Sequence, residues 1–99
     1  MDIDHYDNVA DQLASCLLLF QALGDSSRQN ILQLLSGADR FTVGELARQT
    51  QLSRPAVSHH IKILCSAGLL SEERQGVKRY YTPTFTLAKR RLDELRSVL

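Results

Sequence analysis

The residues whose types and spacing suit chemistry lie on one face of the stretch LSRPAVSHHIKILCSAGLL, Leu52 to Leu70. There Val57, Ile61, Leu64 and, at the margin, Cys65 recur at helical spacing and require a core. Opposite them stand Arg54, Pro55, Ser58, His59 and Lys62: a forked cation, a small apolar ring, a hydroxyl, an imidazole and an ammonium. Such groups fit a DNA major groove, where Arg reads guanine and Ser or His meets base edges or phosphates. A solvated helix carrying the same donors is the alternative, and this helix alone leaves it open. Catalysis has less to work with. No Ser/His/Asp constellation, Gly-rich phosphate loop or paired carboxylates in a cleft can be built, so neither an enzyme nor a cofactor is expected.

Two other groups of residues invite a sensing role. Cys16 and Cys65 lack the C-x-x-C spacing of a metal site. They suit a thiol-based redox or sulfur-responsive switch only if their pKa is lowered and solvent reaches them. Both adjoin apolar stripes, where a buried and inert cysteine is the ordinary outcome. Asp2, Asp4, His5 and Asp7 offer metal ligands with help from a partner chain, but an acidic helix N-terminus also serves the helix dipole. His59 suits the DNA-facing side, whereas His60 reads as a packing or phosphate-contacting residue.

The elements that must position these residues follow from the chain in order. Asp2 to Leu23 reads as one helix with a wide stripe of Val9, Leu13, Cys16, Leu17, Phe20 and Leu23. Gly24 stops it, and Asp25 caps a second helix, Ser26 to Leu35, that carries Ile31, Leu32, Leu34 and Leu35 to the core. Ser36-Gly37-Ala38-Asp39 closes that helix. Thr42 and Glu45 form a capping box for a short helix from Val43 to Thr50, with Leu46 and Ala47 inward. After Gln51-Leu52, Ser53 caps the next helix, Pro55 suits its first turn, and Gly68 ends it. Two short helices joined by so short a turn make a helix-turn-helix. Leu69 to Gln75 and Val77 to Thr82 form a hairpin around Gly76, whose Arg74, Lys78 and Arg79 suit a wing on a phosphate backbone, with Glu72 and Glu73 offsetting part of that charge. Pro83 breaks the strand. Thr84 to Leu99 is a last helix with a narrow seam of Leu87 or Ala88, Leu92, Leu95 and Leu99. The fold expected is mainly α with a β-hairpin (α+β), a winged helix-turn-helix in the order α-α-α-α-β-β-α, spanning residues 1–99 as one domain.

The chain has 99 residues, 43% of them hydrophobic, enough for a modest core that dimerisation would reinforce. An interface formed by the terminal helices through Val9, Leu13, Cys16, Leu17, Phe20, Leu92, Leu95 and Leu99 is expected, the alternative being that these helices cover only their own domain. The net charge is +1, too small for a protein that coats nucleic acid indiscriminately. Its distribution is uneven: residues 1–52 carry −4 and residues 53–99 carry +5, which places polyanion binding in the second half. With no apolar run of membrane length and an acidic start instead of a signal peptide, a cytoplasmic location is expected.

Three stretches, FQALGDSSRQNILQLL (Phe20 to Leu35), FTVGELARQTQLSRPAVSHHIKILCSAGLL (Phe41 to Leu70) and ERQGVKRYY (Glu73 to Tyr81), resemble the ArsR/SmtB winged helix-turn-helix repressors. Gly24-Asp25 with Arg28, Glu45-Leu46-Ala47, Ser58-His59-His60 and Ala67-Gly68-Leu69 carry the resemblance jointly. It implies a homodimer built from first and last helices, a palindromic operator in double-stranded DNA and release by an inducer. It also implies DNA contacts from Ser53, Arg54, Pro55, Ser58 and His59, with Lys62, Arg74, Lys78 and Arg79 on phosphate. Two recognition helices would meet successive major grooves about 34–36 Å apart. The departures bear on sensing. Where many metal-sensing members carry a Cys-x-Cys element this chain has Thr42-Val43-Gly44, and its last helix has Asp93 but no histidine follows His60. Zinc and thiophilic ions need about four N, S or carboxylate ligands, so no metal sensor of either common kind is expected. A winged-helix module that binds protein through its apolar first helix is the remaining alternative.

Overall fold

The computed structural model describes residues 3–37 and 40–99. Six helices and one hairpin follow in order: α1 Ile3–Ser15, α2 Leu17–Leu23, α3 Ser26–Leu35, α4 Val43–Thr50, α5 Arg54–Ser66, β1 Leu70–Gln75, β2 Lys78–Pro83 and α6 Thr86–Val98. The expected helix start at Asp2 and closing turn at Ala38-Asp39 lie outside the described residues.

Local chemistry accounts for most boundaries. The Asp25 carboxylate accepts the Arg28 N–H at 2.9 Å and starts α3. Thr42 and Glu45 complete the capping box of α4, each side chain taking the other's backbone N–H at 3.2 Å. The Ser53 hydroxyl accepts the Ala56 N–H and starts α5. Gln51 takes a left-handed conformation (φ 60°) at the end of α4, which turns the chain sharply between the two helices. Gly68 ends α5 in a Schellman motif: its own N–H reaches the Cys65 carbonyl, and the Leu69 N–H reaches that of Leu64 at 2.9 Å. Its φ of 75° favours glycine there.

The C-terminus of α2 is closed by side chains from the first turn of α3. Arg28 Nε donates to the Ala22 carbonyl at 2.8 Å and Nη2 to that of Gln21 at 3.0 Å, while Gln29 Nε2 donates to that of Leu23 at 2.7 Å. Last-turn carbonyls have no intrahelical donor, so the Gly24-Asp25 turn is held tight by the helix that follows it.

The core gathers Leu19, Ile31, Leu46, Val57, Leu64 and Leu69, each essentially inaccessible to water. A second cluster of Cys16, Leu95 and Val98, with Val9 against it, joins the first helices to α6. β1 and β2 pair antiparallel from Leu70↔Pro83 to Gln75↔Lys78. Gly76 at φ 65° takes the first position of the two-residue turn, a position that favours glycine.

The first helix is interrupted where the sequence predicts continuity. At Cys16 the N–H is shared between the Gln12 and Leu13 carbonyls at 3.2 Å, the Ser15 hydroxyl bonds back to Gln12, and Arg91 of α6 donates to the Ser15 carbonyl at 3.0 Å. Serine back-bonding and a competing donor both bend helices. The bend lets α1 follow α6 while α2 stays on the core. It also changes which face is buried: Leu19 and Ala22, both outside the expected stripe, are the core-facing residues of α2, whereas Leu13, Leu17 and Phe20 of that stripe stay 43–53% exposed. In α6, which begins at Thr86 because the Thr84 N–H is bound to Leu69, the buried residues are Ala88, Leu95 and Val98. Leu92 and Leu99 are exposed.

Candidate nucleic-acid interface

α5 is fixed from beneath by Val57, Ile61 and Leu64, all buried, and this places Ser53, Arg54, Pro55, Ser58, His59 and Lys62 on an exposed face. Beside that face is a depression of about 430 Å³, lined by Arg54 and Ser58 of α5, Arg48 of α4, and Lys78 and Arg79 of the wing. The wing thus brings Lys78 and Arg79 to the N-terminal half of α5. Arg74 lies opposite Arg79 in the hairpin register, on the same face of the ribbon.

The two wing carboxylates do different things. Glu72 pairs with Arg79 at 3.3 Å, but Glu73 pairs with Arg40, whose guanidinium also lies over the Tyr80 ring at 5.8 Å. Only Arg79 among the wing cations is therefore held by a carboxylate within the described residues; both pairs are about half exposed, where such contacts are weak.

Two contributors were missed from the sequence. Arg48, in the last turn of α4, lines the same depression as Arg54; the rule that the first helix of a helix-turn-helix crosses the DNA backbone was the available signal. Gly44 is the second. A Cβ placed there would lie 2.9 Å from Arg54 Nη2, so glycine leaves the room in which the guanidinium rests.

His59 and His60 part company despite adjacency. His59 is exposed. His60 turns inward, 16% exposed, with Nδ1 3.3 Å from Arg28 Nη1 and 3.9 Å from Asp25 Oδ2. The Arg28 backbone N–H that bonds Asp25 holds its carboxyl below the usual carboxylate range, helped by the Arg28 charge. Glu45 is also lowered, by the hydroxyl and then the backbone N–H of Thr42.

The thiols occupy separate surroundings. Cys16 is enclosed beneath α6, its Sγ directed to the Arg91 carbonyl at 3.6 Å. Cys65 borders the main core, where burial and then Glu72 push its pKa up. Asp4, His5 and Asp7 lie on the exposed part of α1, and no group of three metal-binding side chains comes together among the described residues. Of the expected interface residues, Val9, Cys16 and Leu95 pack against one another within the chain. Leu13, Leu17, Phe20, Leu92 and Leu99 remain on the surface. No described helix is long and apolar enough to cross a membrane.

A helix-turn-helix followed by a basic two-stranded wing defines a winged helix-turn-helix protein. The profile described as "Bacterial regulatory protein, arsR family" matches residues 25–72, from the cap of α3 into β1. The transcriptional repressor SdpR of Bacillus subtilis is 39% identical over 69 residues, covering 70% of this chain and 76% of SdpR. An ArsR-like transcriptional regulator from Rhodococcus sp. RHA1 superposes with a TM-score of 0.80 at 25% identity, covering 90% of this chain and 81% of that one. A homodimeric winged helix-turn-helix DNA-binding domain, Mb0332 of Mycobacterium bovis, gives 0.69 at 27% identity, covering 86% and 84%. The chain belongs to the ArsR family of bacterial regulatory proteins.

Proposed function

We propose that this chain is a homodimeric, cytoplasmic transcriptional repressor that reads a palindromic operator with α5 and grips the flanking phosphates with its wing. The observation that carries the reading is the meeting of Arg54, Ser58, Arg48, Lys78 and Arg79 around one depression at the exposed face of α5. Arg54, Pro55, Ser58 and His59 are assigned to base edges and nearby backbone. Lys62, Arg74, Lys78 and Arg79 are assigned to phosphate, with Ser53 capping the helix that presents them.

Dimerisation through the terminal helices is supported by shape and surface. The chain extends 54 Å by 23 Å by 20 Å with a radius of gyration of 16.0 Å, against about 13 Å for a compact chain of this length. The surface also carries Leu13, Leu17, Phe20, Leu92 and Leu99 from those helices. The neighbour Mb0332 is homodimeric. Release from DNA through the common metal sites is not part of this proposal, since Thr42-Val43-Gly44 offers no sulfur and no histidine follows His60. The surroundings of Cys16 and the raised pKa of Cys65 favour structural thiols over a redox switch.

Fluorescence anisotropy on a duplex selected from a random library, titrated over a salt series, tests the reading. Arg54→Ala or His59→Ala should weaken the selected palindrome and leave the dimer intact. Lys78→Ala should weaken all duplexes and flatten the slope of log K against log salt by about 2 for a dimer that loses two phosphate contacts. Unchanged affinity in all three variants would reject the placement of α5.

A further inference from the structure

The side of α5 that carries His59 and Lys62 also forms one wall of a groove of about 390 Å³, closed from the other side by α2. Leu18 of α2 and Ile63 of α5 supply its apolar surface, and Leu18 is 53% exposed. The polar groups around them are Lys62, His59, Gln21, Arg28 and Ser66, with no carboxylate in the lining. Asp25, the acid next to this region, is directed to the N-terminus of its own helix. A guanidinium has five N–H donors. Arg28, itself part of the lining, commits three of them, to the carbonyls of Ala22 and Gln21 and to His60.

An apolar cleft of this size with a few convergent polar groups is the form small-molecule sites take. Positive groups at its edge, the Lys62 ammonium first and the Arg28 guanidinium beside it, select an anionic head such as a carboxylate. We propose that the groove between α2 and α5 binds a small amphipathic organic anion, a carboxylate on an aliphatic or aromatic body of about eight to ten carbons, which excludes DNA by occupying His59 and Lys62. A ligand shifts an equilibrium only through its different affinity for the two states. Here the difference is direct, because the anion and the DNA backbone require the same ammonium. The regulatory consequence rests on the DNA-binding reading above, whereas the binding step does not.

Sodium octanoate, well below its micellar concentration, is the probe, with octanol and octylamine as neutral and cationic controls. Methyl NMR on the DNA-free protein should show saturable shifts at Leu18 and Ile63 with octanoate, and at least tenfold weaker binding of both controls. Leu18→Ser removes apolar surface from the α2 wall of the groove, which carries none of the DNA-facing residues. It should weaken octanoate at least fivefold, read at Ile63, and leave DNA affinity unchanged when octanoate is absent. At an octanoate concentration ten times its own Kd, the apparent Kd for DNA should rise at least tenfold. Equal binding of octanol, shifts centred on Leu13 and Leu17 instead, or indifference to Leu18→Ser would overturn the site. Octanoate bound in the groove with DNA affinity unaltered would overturn the competition. Octanoate binding as described by a protein that binds no duplex would uphold the site and sink the DNA-binding reading.

Discussion

Replacing Arg28 by alanine should cost far more than the loss of a surface cation. Its side chain closes two last-turn carbonyls of α2 and touches His60 of α5, so a single guanidinium ties three helices around the Gly24-Asp25 turn. Hydrogen bonds to charged groups contribute about 1.5–3 kcal/mol each when their partner is otherwise left bare. The Ala22 contact, at 2.8 Å and part-buried, belongs in the middle of that range, at about 2 kcal/mol. The Gln21 carbonyl keeps the Gly24 N–H at 3.3 Å and its Arg28 contact is exposed, so that bond and the longer one to His60 add about 1 kcal/mol together. The loss should be about 3 kcal/mol, a fall in Tm of roughly 12–24 °C for a domain of this size. Chemical and thermal unfolding measure it, at one fixed protomer concentration because association adds to apparent stability. Arg28→Lys has no fork and should recover about one of the bonds. In the double variant with His60→Ala, a coupling of about 0.5–1 kcal/mol should appear. A loss under about 1 kcal/mol, or full recovery by lysine, would refute the argument that the fork geometry of Arg28 holds this turn.

Other perturbations separate the parts of the account. Gly44→Ala should leave stability unchanged or raise it by up to about 1 kcal/mol, since alanine favours helix. Operator affinity should fall about tenfold as the new methyl displaces the Arg54 guanidinium, and unfolding curves with anisotropy resolve the two effects. Gly68→Ala should lower stability by about 2 kcal/mol, because φ is 75° and the added Cβ would lie 2.9 Å from Leu87 Cδ2; a neutral outcome in denaturant melts would contradict the Schellman assignment. Folding holds the Asp25 and Glu45 carboxyls below their usual range. Their contribution is therefore complete above about pH 4–5 and is lost as pH falls through and below it. Thr42→Val, which removes the principal cause at Glu45, should make the acid branch of a Tm–pH profile shallower.

Where local chemistry dictates structure, the sequence was readable. The caps at Asp25, Thr42 and Ser53 and the stop at Gly68 appear as expected, as does the helical spacing that orients α5. The correspondence ends where distant residues decide. Nothing near Cys16 in the sequence announces that Arg91, on the last helix, will take the Ser15 carbonyl and bend the first. A stripe as wide as that of the first helix fits two faces, and only the packing of α6 shows that Cys16 turns inward while Leu17 and Phe20 turn out. In α6 the choice left open between Leu87 and Ala88 falls to Ala88, and Val98, outside the expected seam, is buried with Leu95 while Leu92 and Leu99 stay on the surface. Of the residues around the depression beside α5, Arg54, Ser58, Lys78 and Arg79 were singled out from type and spacing. Arg48 and Gly44 were not, because their place beside Arg54 depends on how close α4 lies to α5.

Hydroxyl-radical footprinting, with guanine N7 methylation interference, on the selected duplex tests the central claim most directly. The expected pattern is two protected backbone segments on one face of the duplex, centred about one helical turn apart, with N7 interference at each centre that disappears in Arg54→Ala. A single protected segment, or interference unaffected by that substitution, would contradict a dimer that reads two major grooves with α5.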